Sequence, residues 1–221
     1  MMRAWVLACA VAAAVSGGTS PACAARLPGR VEFEVLREGE PFGLQTITVS
    51  EHDGQLVAES DANLRASFGP LTLFSYSQRC SETWRGGALT SLQCATRKNG
   101  RLKAVLGQLD NGALHMSGTV GDIVFDAGTP PTSWWTRPPL TLREMINSET
   151  GERLPVRVSY IGRETITAYG QRLAADHIRV QGTLGVDLWY DDQGHWISCA
   201  FSAQGQHVTY RLLTPPALAP S

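Results

Sequence analysis

Cys80-Ser-Glu-Thr-Trp84-Arg85-Gly86-Gly87-Ala88-Leu89-Thr90-Ser91-Leu92-Gln93-Cys94 places two cysteines symmetrically about Gly87. Directly opposed residues of a β-hairpin have position numbers of constant sum, and non-hydrogen-bonded antiparallel pairs bring Cα atoms to about 4.5 Å, within disulfide reach. The spacing therefore predicts a Cys80–Cys94 cross-strand bridge in an antiparallel β protein made in an oxidising compartment. It also predicts an odd-length turn centred on Gly87, such as Gly86-Gly87-Ala88, because a two-residue Gly86-Gly87 turn sets Cys80 against Gln93.

On that register Phe74, Tyr76, Cys80, Glu82, Trp84, Ala88, Thr90, Leu92 and Cys94 share one face. Ser75, Ser77, Arg79, Ser81, Ser91 and Arg97 share the other. One face of an antiparallel sheet is usually solvated, so the apolar set marks the core side. Glu82 is then expected inward, opposite Leu92 and beside Trp84. A carboxylate there must be hydrogen-bonded, paired or protonated, and burial raises its pKa unless donors compensate.

Outward from the hairpin, short alternating segments are divided by Gly, Asp and Asn turn chemistry: Val31–Val35, Gln45–Val49, Gln55–Glu59, Arg101–Leu109 after Asn99-Gly100, and Leu114–Ser117 after Asn111-Gly112. Thr129 to Pro139 carries four prolines around Trp134-Trp135, which excludes a central strand. Thr141-Leu-Arg-Glu144 reads as a capping box, with Leu142, Met145 and Ile146 on one helical face, so one short helix is expected near 141–149. Alternation resumes through Val156–Tyr160, Ile166–Ala168, His177–Val180, Val186–Tyr190, Trp196–Phe201 and Val208–Leu212. The expected fold is all-β, a single antiparallel, strongly curved meander sheet forming a half-barrel or open barrel. It occupies residues 25–213, before a disordered tail over 214–221.

At an offset of 105 residues, Trp84, Cys94 and Gly100 recur as Trp189, Cys199 and Gly205, and Glu82 recurs as Asp187. This is either a weak duplication or a coincidence of two hairpins with similar burial patterns. In the first case, two similar halves flank Trp134-Trp135 and place them near a junction where clefts form.

Arg3, the apolar run Ala4–Val15 and the small-residue signal Ala22-Cys23-Ala24 read as a signal peptide over 1–24, cleaved just before Ala25. The expected location is the periplasm or outside the cell, with no transmembrane segment, since the apolar run is well short of the roughly 20 residues a span needs. Cleavage removes Cys9 and Cys23, leaving Cys80, Cys94 and Cys199, and moves the formal charge from −1 to −2. A near-neutral chain without a basic run argues against nucleic-acid partners.

No nucleophile elbow, zinc-binding His pair, Cys-x-x-Cys or phosphate-cradling Gly-rich loop is present, so no metal or other cofactor is expected. His52, His115, His177, His195 and His207 lack ligand spacing. Cys199 has no adjacent base in sequence and reads as a buried, inert thiol.

The ordered set Gly39-Glu-Pro-Phe-Gly43, Glu82-x-Trp84, Thr96-x-x-Asn99-Gly100, Pro131-Thr-Ser133-x-Trp135, Thr150-Gly151 and Leu188-Trp189-Tyr190-Asp191 resembles a bacterial exported family catalogued as domain of unknown function 6134. The resemblance runs from about Val31 to Leu212 and implies a single secreted antiparallel β domain with no established activity. The resemblance implies Asn after Trp135, where this sequence has Thr136.

Three functions fit these readings. The first is a non-catalytic carrier whose concave face, with Trp84, Trp134, Trp135, Trp189 and Tyr190 at its rim or floor, holds an apolar or lipid-like ligand. The second is a hydrolase using Glu82 and Asp187 as acid and base, which needs the two carboxyls about 5 to 10 Å apart across a cleft. The third is an envelope protein that pairs with another through an exposed edge strand.

Overall fold

The computed structural model describes residues 28–68, 71–183 and 185–218; the expected leader lies outside them. The first meander runs through β1 (Pro28–Arg37), β2 (Glu40–His52), β3 (Gln55–Phe68), β4 (Leu71–Arg85), β5 (Ala88–Lys98), β6 (Arg101–Asp110), β7 (Ala113–Gly118) and β8 (Gly121–Asp126). The second runs through β9 (Glu144–Ile146), β10 (Arg153–Ala168), β11 (Gln171–Gly182), β12 (Val186–Tyr190), β13 (Trp196–Ala203) and β14 (Gln206–Leu212). Pairing of β1 with β14 joins them into one antiparallel path with β8 and β9 as its ends, and β15 (Ala217–Leu218) branches from β1. Within the tail expected to lack order, therefore, Ala217–Leu218 pair with β1.

The sheet curls until its two ends meet, but among the described residues no ladder closes the seam. Side chains and loops latch it instead. Arg153 on β10 donates to the Val124 carbonyl on β8 at 2.7 Å, and its guanidinium lies 4.4 Å above the Phe125 ring. Gly118 lies so close to the loop after β9 that a Cβ there would sit 2.3 Å from the Thr150 carbonyl. The result is an open barrel, as the alternation and turn chemistry imply.

The Cys80–Cys94 hairpin forms with the expected register and bridge, at a Cα–Cα separation of 4.1 Å. Its turn differs from the expected one. Arg85 opposes Ala88 across a two-residue Gly86-Gly87 turn in which both residues have positive φ, 57° and 80°. This is a backbone that Gly-Gly adopts without steric cost. A bulge at Thr90 then absorbs one residue, so that Thr83 opposes Ser91 and the cysteines still meet. The Thr90 hydroxyl donates to the Thr83 carbonyl at 3.0 Å. The bulge also changes which residue points inward: Leu89 is fully buried where Ala88 and Thr90 were expected.

The expected helix near 141–149 is absent. Glu144–Ile146 form a strand on β10, and the Ile146 amide donates to the Pro130 carbonyl while its own carbonyl accepts from Thr132. So short a segment gains more from these tertiary partners than from one or two helical turns, whose nucleation is costly. Buried Met145 and Ile146 enter separate cores. One core lies under β1, β2 and β10–β14 around Phe33, Trp196 and Tyr190; the smaller lies under β4–β8 around Leu92, Met116 and Phe125; Trp84 packs against both.

The offset of 105 is not a structural repeat. Glu82 opposes Leu92, whereas Asp187 opposes Ala200, and residues 191–195 replace the two-residue turn of the first hairpin. Trp84 and Trp189 therefore occupy unrelated positions.

Candidate functional site

Glu82 is 3% exposed, and its Oε2 accepts from the Trp84 indole at 3.0 Å and the Trp135 indole at 3.1 Å. Burial pushes its carboxyl above the usual range, and hydrogen bonds from Ser133, Trp135 and Trp84 pull it partway back. Trp84 is on the same strand, whereas Ser133 and Trp135 lie on the crossover of residues 127–143 that links the meanders. Glu82 thus ties this crossover to β4. At the opposite wall, the Tyr190 hydroxyl donates to the Trp134 carbonyl at 3.0 Å and lies 3.3 Å from that of Thr136. The proline-rich segment is held from two sides inside the curled sheet, where it supplies a wall.

Between that wall and the sheet lies a cavity of about 400 Å³. Its apolar side comes from Ile47 on β2, Ala58 and Ala62 on β3, Phe74 on β4, and Phe201 and Val208 on β13 and β14. Thr132, Ser133, Asn147 and Ser148 make the facing side polar. Alternate residues of β4, from Phe74 through Tyr76, Gln78 and Cys80 to Glu82, line it lengthwise, as the pleat requires. At one end the Phe42 and Phe74 rings meet with centroids 5.5 Å apart.

Of the residues expected to form a site, Glu82, Trp134 and Trp135 line this cavity, and Trp84 buttresses Glu82 from beside it. Tyr190 is buried in the core as an anchor for the crossover. Trp189 lies on the outer face, stacked on His177 with ring centroids 4.6 Å apart, and donates to Glu164. Asp187 shares that face, since its neighbours Val186 and Leu188 turn inward. It accepts from Arg179 at 2.7 Å and contacts His177 Nε2 at 2.6 Å. Partial burial pushes its carboxyl up, but the bonds from Arg179 and His177 outweigh this and hold it below the usual carboxylate range. Glu82 and Asp187 face opposite sides of the sheet and do not form a carboxylate pair. Cys199 is buried, and burial pushes its thiol well above its ordinary pKa, leaving it a poor nucleophile.

Lys98 and Glu149 also line the cavity and were not singled out from sequence. Lys98 opposes Tyr76, so the register that fixes the disulfide also turns it inward; Glu149 arrives from the loop after β9, which no local pattern connects to β5. Among the described residues, no cluster of three or more His, Cys, Asp or Glu could hold a metal ion, and no helix is long and apolar enough to cross a membrane.

These features define an open, barrel-like antiparallel domain wrapped around a crossover and an internal cavity. The chain belongs to the family described as domain of unknown function DUF6134, whose model matches residues 33–213. It is similar in fold to a solved beta-barrel-like protein of domain of unknown function DUF1849 from Brucella abortus, with 8% identity, a TM-score of 0.60, and coverage of 85% of this chain and 96% of that one. No curated protein matches the chain.

Proposed function

We propose that this domain is an exported, non-catalytic carrier that holds an apolar or lipid-like ligand in the cavity between β2–β4, β13–β14 and the crossover. The observation that carries this reading is the cavity of about 400 Å³, lined on one side by Ile47, Phe74, Phe201 and Val208 and on the other by short polar side chains. Ligand sites are typically concave, mostly apolar and about 300–1,000 Å³, with a few polar groups that orient the guest. Glu82 reads here as an anchor for the crossover, its Oε2 accepting from two indole donors, and Asp187, on the outer face, gives it no carboxylate partner across that space. Export is supported by the leader-like N-terminus and by the Cys80–Cys94 bridge, which persists in an oxidising compartment.

Native mass spectrometry of the mature protein, purified gently from the periplasm, tests the reading. The expected result is a bound species that is lost on denaturation and recovered in the organic extract. A mass equal to the bare chain, together with failure to take up any acyl probe, would overturn it.

A further inference from the structure

We propose that the ligand is a single-chain amphiphile with a carboxylate head, its head seated at Lys98 and its chain running inward along β4. This deepens the carrier reading and rests on it. The charged residues lining the cavity are Glu82, Lys98 and Glu149. Glu82 is committed to Trp84 and Trp135 at the inner end. At the other end one carboxylate serves two lysines: Glu149 Oε1 lies 2.6 Å from Lys103 Nζ and 3.8 Å from Lys98 Nζ. Two lysines sharing one carboxylate leave this end with a net positive charge, and Lys98 is the more loosely held of the two. The Lys98 side chain is 40% exposed while also lining the cavity, which places it at a mouth.

The surroundings of Lys98 suit an acid head. Its cross-strand neighbour Tyr76 is kept a protonated phenol, first by burial and then by the nearby charge of Glu149, and so can donate a hydrogen bond. Gln78, one inward step further along β4, donates to Thr96 at 2.9 Å. A single lysine supplies one point charge and no guanidinium fork, which matches a monoanionic carboxylate better than a phosphate head that prefers bidentate arginine. From Tyr76 to Glu82 is about 20 Å of strand at roughly 3.3 Å per residue. Ile47, Ala58 and Ala62 flank this path, and the cavity lies at the small end of the range for ligand sites, with room for one chain.

The test uses the delipidated mature protein and three probes of equal chain length: a fluorescent long-chain fatty acid, its methyl ester and the corresponding alkyl phosphate. The acid is expected to bind roughly tenfold tighter than the ester, the factor of one charge-assisted hydrogen bond at a half-exposed site. Lys98→Met should bring the ratio of acid to ester affinity down to about one, and Lys98→Arg should retain the preference. Glu149→Gln should tighten acid binding and raise the ratio of acid to ester affinity above that of the native protein, a gain that misfolding cannot produce. Equal affinity for acid and ester in the native protein, or tighter binding of the phosphate, would overturn the carboxylate assignment and leave the carrier intact. If none of the probes binds, the carrier reading falls and takes this assignment with it.

Discussion

Glu82 and Asp187 are related by the offset of 105 residues, and each stands two places before a tryptophan, yet they occupy opposite electrostatic worlds. Glu82 faces the interior, takes its hydrogen bonds from neutral indoles, and has its carboxyl pushed up by burial. Asp187 faces outward, is bonded to Arg179 and His177, and is held ionised. Residue type and local spacing are alike in the two cases. What separates them is the face of the strand, which each hairpin fixes by its own turn and bulge.

The contrast is broken most severely by truncation at the inner site. Glu82→Ala removes the shared acceptor of two indoles and frees the crossover from β4. Orphaning buried donors at about 1–3 kcal/mol each, with the added void, predicts a loss of about 3–5 kcal/mol, measured by urea unfolding. The crossover tryptophan should become more accessible to a fluorescence quencher, and an unchanged midpoint would show that Glu82 anchors nothing. Next in size is the bridge that fixes the inward register. The bond closes a segment with a sequence separation of 14, so Cys80→Ala with Cys94→Ala should cost about 3 kcal/mol by the loop-entropy model. Cys199 should remain unreactive to thiol reagents in the folded state of either form.

How far these sites were legible depended on whether the partner was local. The alternation in β1, β2, β5, β6 and β10–β14 and the Asn99-Gly100 and Asn111-Gly112 turns announced the sheet, because strand period and turn chemistry are written in adjacent residues. The register of β4 against β5 was legible from two cysteines, and with it the inward Glu82. The Thr90 bulge was not, since Gly86-Gly87-Ala88 and Gly86-Gly87 followed by a bulge give the same sum of positions beyond the bulge. Thr141-x-x-Glu144 misled because its backbone partners, Pro130, Thr132 and β10, lie outside the window that a capping box describes. Pairing of β1 with β14, and the approach of Glu149 to Lys98, join residues far apart in sequence with no complementary signature in either segment.

A subtler break keeps the inner hydrogen bonds and removes the charge. Glu82→Gln retains an oxygen acceptor for both indoles while losing titration. Because the folded pKa is raised above the ordinary 4.5, the stability tied to the protonated carboxyl is fully present below that pH and is lost as pH rises through the folded value. Native protein should therefore lose stability between acid and neutral pH by more than Glu82→Gln does. Parallel pH curves for the two would mean that the carboxylate is ionised in the fold at no cost.

Asp187→Asn should be the mildest change and should carry the opposite sign. The side chains of Asp187 and Arg179 are 30% and 41% exposed, so solvent screens their attraction and the variant should lose less than about 1 kcal/mol at neutral pH. Its folded pKa is lowered from 3.8, so the stabilisation is present above that value and lost as pH falls through the folded one. Both pairs should therefore converge in acid and separate towards neutrality but with opposite sign: native protein gains stability relative to Asp187→Asn as pH rises to 7 and loses it relative to Glu82→Gln. Urea unfolding across pH measures both pairs in one series. Two curves bending the same way would mean that both carboxylates sense the same surroundings, which the opposite facing of β4 and β12 side chains does not allow.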